Sequence, residues 1–359
     1  MPPPAPQTFR VSPDLQNQTI GTALRKWLPG KSWSDIKRLL KSRQVTVSGN
    51  LCLDDGRRLK LEEVVKLLPH SAAPPPQEQD VRIRYLDAHL VIVEKPAGMT
   101  TLRHPEERNW PKRRRQLQPT LDEILPRIIV QREGALATRG RPLRGKKGKS
   151  PTHAPPAKGT LRRLRAVHRI DRETSGLMVF ARSVDAERLL GEQFRSHTLH
   201  RVYLAVALGS VAEQSIESSL VPDRGDGRRG STTNSKLGKR AVTHVKPVER
   251  LAGYTVVECR LETGRTHQIR IHLSELGHPL CGDKVYRGPY PGKPIVDESG
   301  APRVALHAAE LGFEHPITRE WLKFAMPLPA DLSLLVERLR SRRPARKGRE
   351  TSKPATREG

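Results

Sequence analysis

AVHRIDRETSGLMVFARS, residues 166–183, is the densest run of chemically informative residues in the chain. Leu177 to Ala181 is wholly apolar and reads as a buried strand, and Gly176 allows a tight backbone turn just before it. Asp171 therefore falls in a polar loop that leads into a buried strand. The flanking Arg169 and Arg172 favour its carboxylate form, which suits a nucleophile or a base better than a general acid. Taken alone, the same aspartate also reads as a turn or capping carboxylate, and only its surroundings separate the two roles.

Those surroundings are strongly basic. The 359 residues, about two domains' worth, hold 65 Lys+Arg against 38 Asp+Glu, a formal charge of +27. Such an excess is the footprint of a polyanion partner, with nucleic acid first among them, and it makes small-molecule metabolism an incomplete account. No run of about 18 apolar residues exists to cross a membrane. The start, MPPPAPQTFR, lacks the apolar stretch of a secretion signal. Cys52, Cys259 and Cys281 are too few and too scattered for a disulfide framework or a CxxC zinc site, so reduced thiols and a cytoplasmic location are expected.

Proline and charge divide the chain. Residues 69–80, PHSAAPPPQEQD, read as a stiff linker. Before it, residues 1–18 are expected to be flexible and 19–68 compact. Ile20, Leu24 and Leu28 recur at helical spacing, Pro29 and Gly30 stop that helix, and Ser34 is expected to cap a second one through Ile36, Leu39 and Leu40. Val45 and Val47 then alternate as a strand, followed by a turn at Ser48, Gly49 and Asn50. After the linker, residues 81–337 are strand-rich, with Leu90 to Val93 a buried strand ended by the turn Lys95 to Gly98. Within them, 103–115 and the insertion 132–165 are too basic and too rich in Gly and Pro to pack, which predicts mobile loops, and the tail 338–359 is alike. Residues 19–68, 103–115, 132–165 and the tail carry +6, +4, +10 and +7, the whole of the excess. The remainder nets to zero.

The helix, helix, hairpin order around IKRLLKSRQVTVSG, residues 36–49, resembles the αL RNA-binding domain of ribosomal proteins. Matching by position implies that Lys37, Arg38, Lys41 and Arg43 meet RNA phosphates; the bland alternative is a solvated helix face. HRIDRETSGLMVFA, residues 168–181, resembles the catalytic signature of the RluA family of RNA pseudouridine synthases. Four further segments agree in order: VIVEKPAGM at 91–99, HRVYLAVALG at 200–209, LETGRTHQIRIHLSELGHPLCGD at 261–283 and LHAAELGFEHPIT at 306–318. The resemblance implies an α+β protein, a small αL domain followed by a catalytic domain with a mainly antiparallel mixed sheet and a central cleft. It implies a reaction in which uridine in RNA is detached from its ribose, rotated and rejoined through carbon, with no cofactor.

Position by position, Asp171 matches the family's essential aspartate, which attacks the sugar or base or removes a sugar proton. Arg169 matches the arginine that fills the space left by a flipped-out uridine; a stacked base cannot turn over in place. Tyr203 matches the tyrosine that packs on the uracil and helps to move its ring proton, although by itself it reads equally as a core aromatic. Arg270 has a local case too. In THQIRIHL, alternation predicts a strand with Gln268, Arg270 and His272 on one face, and a partly buried arginine needs an anion. Asp171 is the partner the family implies. His267 and His272 would then face opposite ways, which excludes a shared metal. The kinase catalytic loop is excluded because Ile170 interrupts its motif and no glycine-rich phosphate loop precedes it.

The expected substrate is RNA, with large-subunit ribosomal RNA favoured and transfer RNA as the alternative. A noncatalytic RNA-binding or ribosome-assembly factor is the rival of another class. No heptad asks for a second copy, so a monomer is expected.

Overall fold

A computed structural model describes residues 7–48, 50–69, 71, 76–103, 107, 109, 110, 115, 118–139, 163–234 and 236–342. The chain divides into two compact units: residues 1–76 with 103–119, and residues 77–102 with 120–359.

In the small unit, β1 (Gln7–Arg10) precedes α1 (Ile20–Trp27), α2 (Trp33–Lys41), β2 (Val45–Val47), β3 (Asn50–Leu51) and β4 (Val64–Leu67). Its sheet runs β1-β4-β2-β3, antiparallel throughout. The two helices bury the predicted stripe, Ile20 and Leu24 from one, Ile36 and Leu40 from the other, over Val45, Val47 and Val65. Two expectations are corrected here. The N-terminus is not free up to residue 18: Gln7–Arg10 pairs along β4, and Val11 and Leu15 are buried in the core. The cap of α2 is Ser32, not Ser34; its hydroxyl accepts from the Asp35 N–H while the Asp35 carboxylate accepts from the Ser32 N–H.

The large unit contains β5 (Arg82–Leu86), β6 (Leu90–Lys95), α3 (Leu121–Arg139), β7 (Arg165–Ala166), β8 (Ser175–Ala181) and α4 (Val184–Ser196). It continues through β9 (His200–Leu208), β10 (Gln214–Val221), β11 (Gly230–Thr232), β12 (Lys239–Leu251), β13 (Tyr254–Leu261), α5 (Gln268–Glu275), β14 (Leu306–Glu314), β15 (Trp321–Ala325) and α6 (Ala330–Arg340). One 11-stranded sheet follows the order β11-β10-β12-β13-β9-β14-β8-β6-β5, with β15 beside β14 and β7 beside β8. Its pairs are antiparallel except β14 with β8. The α+β class with a mainly antiparallel sheet is as expected.

β8 is buried at all seven positions, because apolar side chains cover both of its faces. Gly176 lies inside that strand rather than in a turn before it. At φ 126°, a Cβ there would stand 2.3 Å from the Ala308 carbonyl oxygen, so glycine is what lets β14 run parallel alongside. The expected loop at 132–165 is corrected at its start, since α3 carries helix through to Arg139; residues 140–162 lie outside the described residues. Helix α6 likewise reaches into the expected tail, and Arg338, Arg340 and Arg342 are bonded to the body of the unit; residues 343–359 are not described. In the expected linker, Glu78–Asp80 closes a single 3-10 turn, while residues 70 and 72–75 are outside the description.

Candidate active site

Asp171 is held by its backbone. The Lys95 ammonium donates to the carbonyls of Met99 at 2.8 Å, Pro96 at 3.0 Å and Arg172 at 3.1 Å. Gly98 N–H donates to the Arg172 carbonyl at 2.7 Å, and Arg172 Nε returns a bond to the Gly98 carbonyl. Thr101 Oγ1 donates to the carbonyl of Ile170, whose side chain sits in the core. The turn after β6 thus clamps the loop before β8 on both sides of Asp171. Burial pulls the Lys95 ammonium down to about 7, offset in part by Glu173 and Asp171.

The carboxylate opens into a cleft of about 500 Å³ in the large unit. Arg270 Nη1 stands 3.5 Å from one of its oxygens and His267 Nε2 stands 3.9 Å from the other. Tyr203, on the middle strand β9, lines the same cleft, and burial pushes its phenol up. Arg169 is exposed at the mouth and donates to Thr266 Oγ1 at 2.8 Å. The structure therefore brings together the four large-unit residues singled out in the sequence, Asp171, Tyr203, Arg270 and Arg169. Lys37, Arg38, Lys41 and Arg43 are in the small unit, on α2 and the turn after it. Lys37 and Arg38 are more than half exposed and pair with Asp55 and Asp35.

Arg270 arrives from a different element than predicted. Residues 268–275 form α5, not a strand, and His267 stands at its N-terminus with φ 61°. Alternation misled because the helix is buried on nearly every side: Gln268 through Ser274 are all buried, so no polar stripe marks its period. Its buried polar groups are met individually. Gln268 donates to the Val242 carbonyl and Thr243 Oγ1, and His272 bonds with Thr243 and Ser218.

The main anion of Arg270 is also one the sequence reading missed. Asp283 accepts from its Nε at 2.7 Å and its Nη2 at 2.9 Å, and takes the backbone N–H groups of Val285 and Tyr286 as well. This two-pronged bond turns Nη1 toward Asp171. Tyr286 supports both neighbours: its hydroxyl bonds His267 Nδ1 at 2.8 Å and its ring lies 5.0 Å under the Arg270 guanidinium. Asp283 lies beyond the end of α5, thirteen residues after Arg270, at a separation that no local pattern marks. Among the described residues, no group of three or more His, Cys, Asp or Glu could hold a metal ion. No helix among them is long and apolar enough to cross a membrane.

Five arginines line the cleft, Arg169, Arg195, Arg201, Arg265 and Arg270, with Asp171 as the carboxylate. A carboxylate backed by a fixed guanidinium, in a basic cleft beside a tyrosine, fits a site that receives a polyanion. Residues 89–275 match the RNA pseudouridylate synthase family. A ribosomal large subunit pseudouridine synthase D of Zymomonas mobilis is 32% identical over 326 residues, covering 89% of this chain and 93% of that protein. An uncharacterized RNA pseudouridine synthase of Bacillus subtilis is 34% identical, covering 86% and 90%. Among solved structures, human RNA pseudouridylate synthase domain containing 4 shares the fold at a TM-score of 0.51 and 23% identity, covering 73% of this chain and 94% of that one. The chain belongs to the RNA pseudouridylate synthase family and is an RNA pseudouridine synthase, an isomerase.

Proposed function

We propose that the protein isomerises specific uridines of large-subunit ribosomal RNA, with Asp171 as the catalytic carboxylate and Arg270 and Tyr203 beside it. The observation that carries this reading is the constellation around Asp171, a carboxylate clamped by its own backbone with Arg270 3.5 Å away in a cleft of nucleotide size. The names of relatives such as the Zymomonas mobilis enzyme support the ribosomal substrate. In this scheme the uridine leaves the stack, Arg169 occupies the gap, and the uracil lies on Tyr203. Arg270 holds the Asp171 carboxylate aimed at the nucleoside. A phenol is protonated at neutral pH and burial pushes Tyr203 further that way, so in this scheme the tyrosine packs and donates.

The small unit serves as a separate handle that grips phosphates through Lys37, Arg38, Lys41 and Arg43, working as a monomer in the cytoplasm. Purified protein incubated with a ribosomal RNA transcript carrying labelled uridine should form pseudouridine, and Asp171→Ala should form none. Product from transfer RNA alone would replace the substrate, and equal product from Asp171→Ala would remove the aspartate from the mechanism.

A further inference from the structure

Among the arginines that line the cleft, one is buried and yet pairs with no carboxylate among the described residues. Arg201, on β9, is 9% exposed. Its Nη2 donates to the carbonyls of Glu262 at 3.0 Å and Leu261 at 3.4 Å. Its buried Nε has no hydrogen-bond partner, and no carboxylate pairs with it, among the described residues. Arg270, on another wall of the same cleft, has two carboxylates. Burial pulls the Arg201 pKa down, yet a guanidinium starts so high that it stays cationic.

What supports Arg201 does not neutralise it. Its guanidinium lies 5.7 Å from the Phe194 ring centre, and that ring stacks on His168 at 4.6 Å. His168 accepts the Val179 N–H through Nε2 and is pushed by burial down to about 3, so it is uncharged. A buried, unpaired guanidinium is costly unless an anion comes to it. Gly264 keeps the approach clear. A Cβ there would stand 2.9 Å from Arg201 Nη1, and the Gly264 backbone is not in the left-handed region that would itself require glycine.

Arg201 and Tyr203 share a strand face two residues apart, a step of about 7 Å. That is of the order of the span between a nucleobase and its own phosphate. We infer that Arg201 seats the phosphodiester adjoining the uridine that turns over. The inference rests on the proposed reaction for the identity of that nucleotide, and it gives the site a purpose. While the uracil is detached and rotated, the ribose must stay in place, and a held phosphate anchors it.

The test uses uridine, uridine 5′-monophosphate and uridine 3′-monophosphate, titrated into full-length protein and followed by NMR. For the wild type, at least one monophosphate should bind roughly tenfold or more tightly than uridine, in line with a charge-assisted contact. Arg201→Gln should erase that preference while uridine affinity stays the same, Arg201→Lys should keep part of it, and Gly264→Ala should weaken it by crowding Nη1. Equal binding of nucleoside and nucleotides by the wild type would overturn the inference. So would an Arg201→Gln or Gly264→Ala variant that weakens uridine as much as the monophosphates, because that is the signature of a merely structural arginine. These titrations need no turnover, so a failure to make pseudouridine in ribosomal RNA would strike the proposed reaction and leave the phosphate seat to be judged by its own result.

Discussion

The two basic regions of this molecule hold their charge in opposite ways. On the small unit, Lys37 and Arg38 stand in solvent, with side chains 58% and 76% exposed, and their carboxylate neighbours are exposed or nearly so. In the cleft, the Arg270 side chain is 8% exposed and that of Asp283 is fully buried, and the guanidinium is aimed by its two hydrogen bonds to Asp283 toward an ion pair with Asp171. Exposed charges act through a screened field and shift with salt. Buried ones act through geometry, and a change of one partner leaves the other stranded. The part of the sequence that nets to zero thus contains a cleft in which five arginines face one carboxylate.

The largest effect expected from this contrast is at Asp171. Asp171→Asn keeps the size of the side chain and leaves Arg270 its bond to Asp283, so the fold and the RNA affinity should hold to within a few fold. Turnover should fall by roughly a thousandfold or more, the scale of losing a positioned base or nucleophile. Single-turnover rates with saturating ribosomal RNA measure this. An affinity loss matching the rate loss would make Asp171 a binding residue and blur the division between the regions.

Next comes Asp283→Ala, which removes the anion from a buried guanidinium and should destabilise the large unit by about 3–5 kcal/mol. The matching change in the small unit, Asp35→Ala, removes an α2 cap interaction and meets an exposed partner, so it should cost far less. Urea melts of the two variants compare them directly. Equal costs would mean that burial does not set the worth of these pairs.

How much of this was legible in the sequence follows the same division. Elements with a clear apolar pattern were readable: the one-sided stripes of Ile20 and Leu24 on α1 and of Ile36 and Leu40 on α2, and the continuous apolar run Leu177–Ala181 in β8. Four cleft residues were readable because short segments carry them with their neighbours. Helix α5 was not, because full burial removes the contrast on which periodicity depends, and Ile269, Ile271 and Leu273 alternate by coincidence. Asp283, Tyr286 and Arg201 were missed for another reason. Their roles are set by partners that the fold brings in from other elements, and no spacing within one segment encodes them.

Acid separates the two regions further. His168 is pushed by burial down to about 3 and His272 and His307 to about 4, from an ordinary 6.5, and all three are in the large unit. Above pH 6.5 they are neutral whether the chain is folded or not, and their contribution to stability is complete. As pH falls from 6.5 toward 4, the unfolded chain takes up protons that the folded one refuses, so stability is lost in that window. Each histidine costs about 1.4 kcal/mol per pH unit there. Hydrogen exchange at about pH 7 and about pH 5 should therefore show the amides of β8 and β9 losing protection by more than those of β2 and β4. A uniform loss across both units would assign the acid response to general charge repulsion.

The smallest effect is expected on the handle itself. Replacing Lys37, Arg38, Lys41 and Arg43 together by Ala should raise KM for ribosomal RNA by about tenfold at low salt and leave kcat unchanged, since none of them lies in the cleft. The slope of log K against log salt should become shallower by about 0.7–0.9 for each phosphate that is no longer neutralised. Arg38→Ala alone should change KM by less than about twofold, because its guanidinium is already engaged with Asp35 and largely exposed. Lys41, exposed on the same helix, should have the larger single effect. A quadruple variant with unchanged salt slope would make this face a solvated surface and move the phosphate grip elsewhere. A fall in kcat at saturating RNA would instead tie the two regions together, so that the small unit acts in the catalytic step as well as in capture.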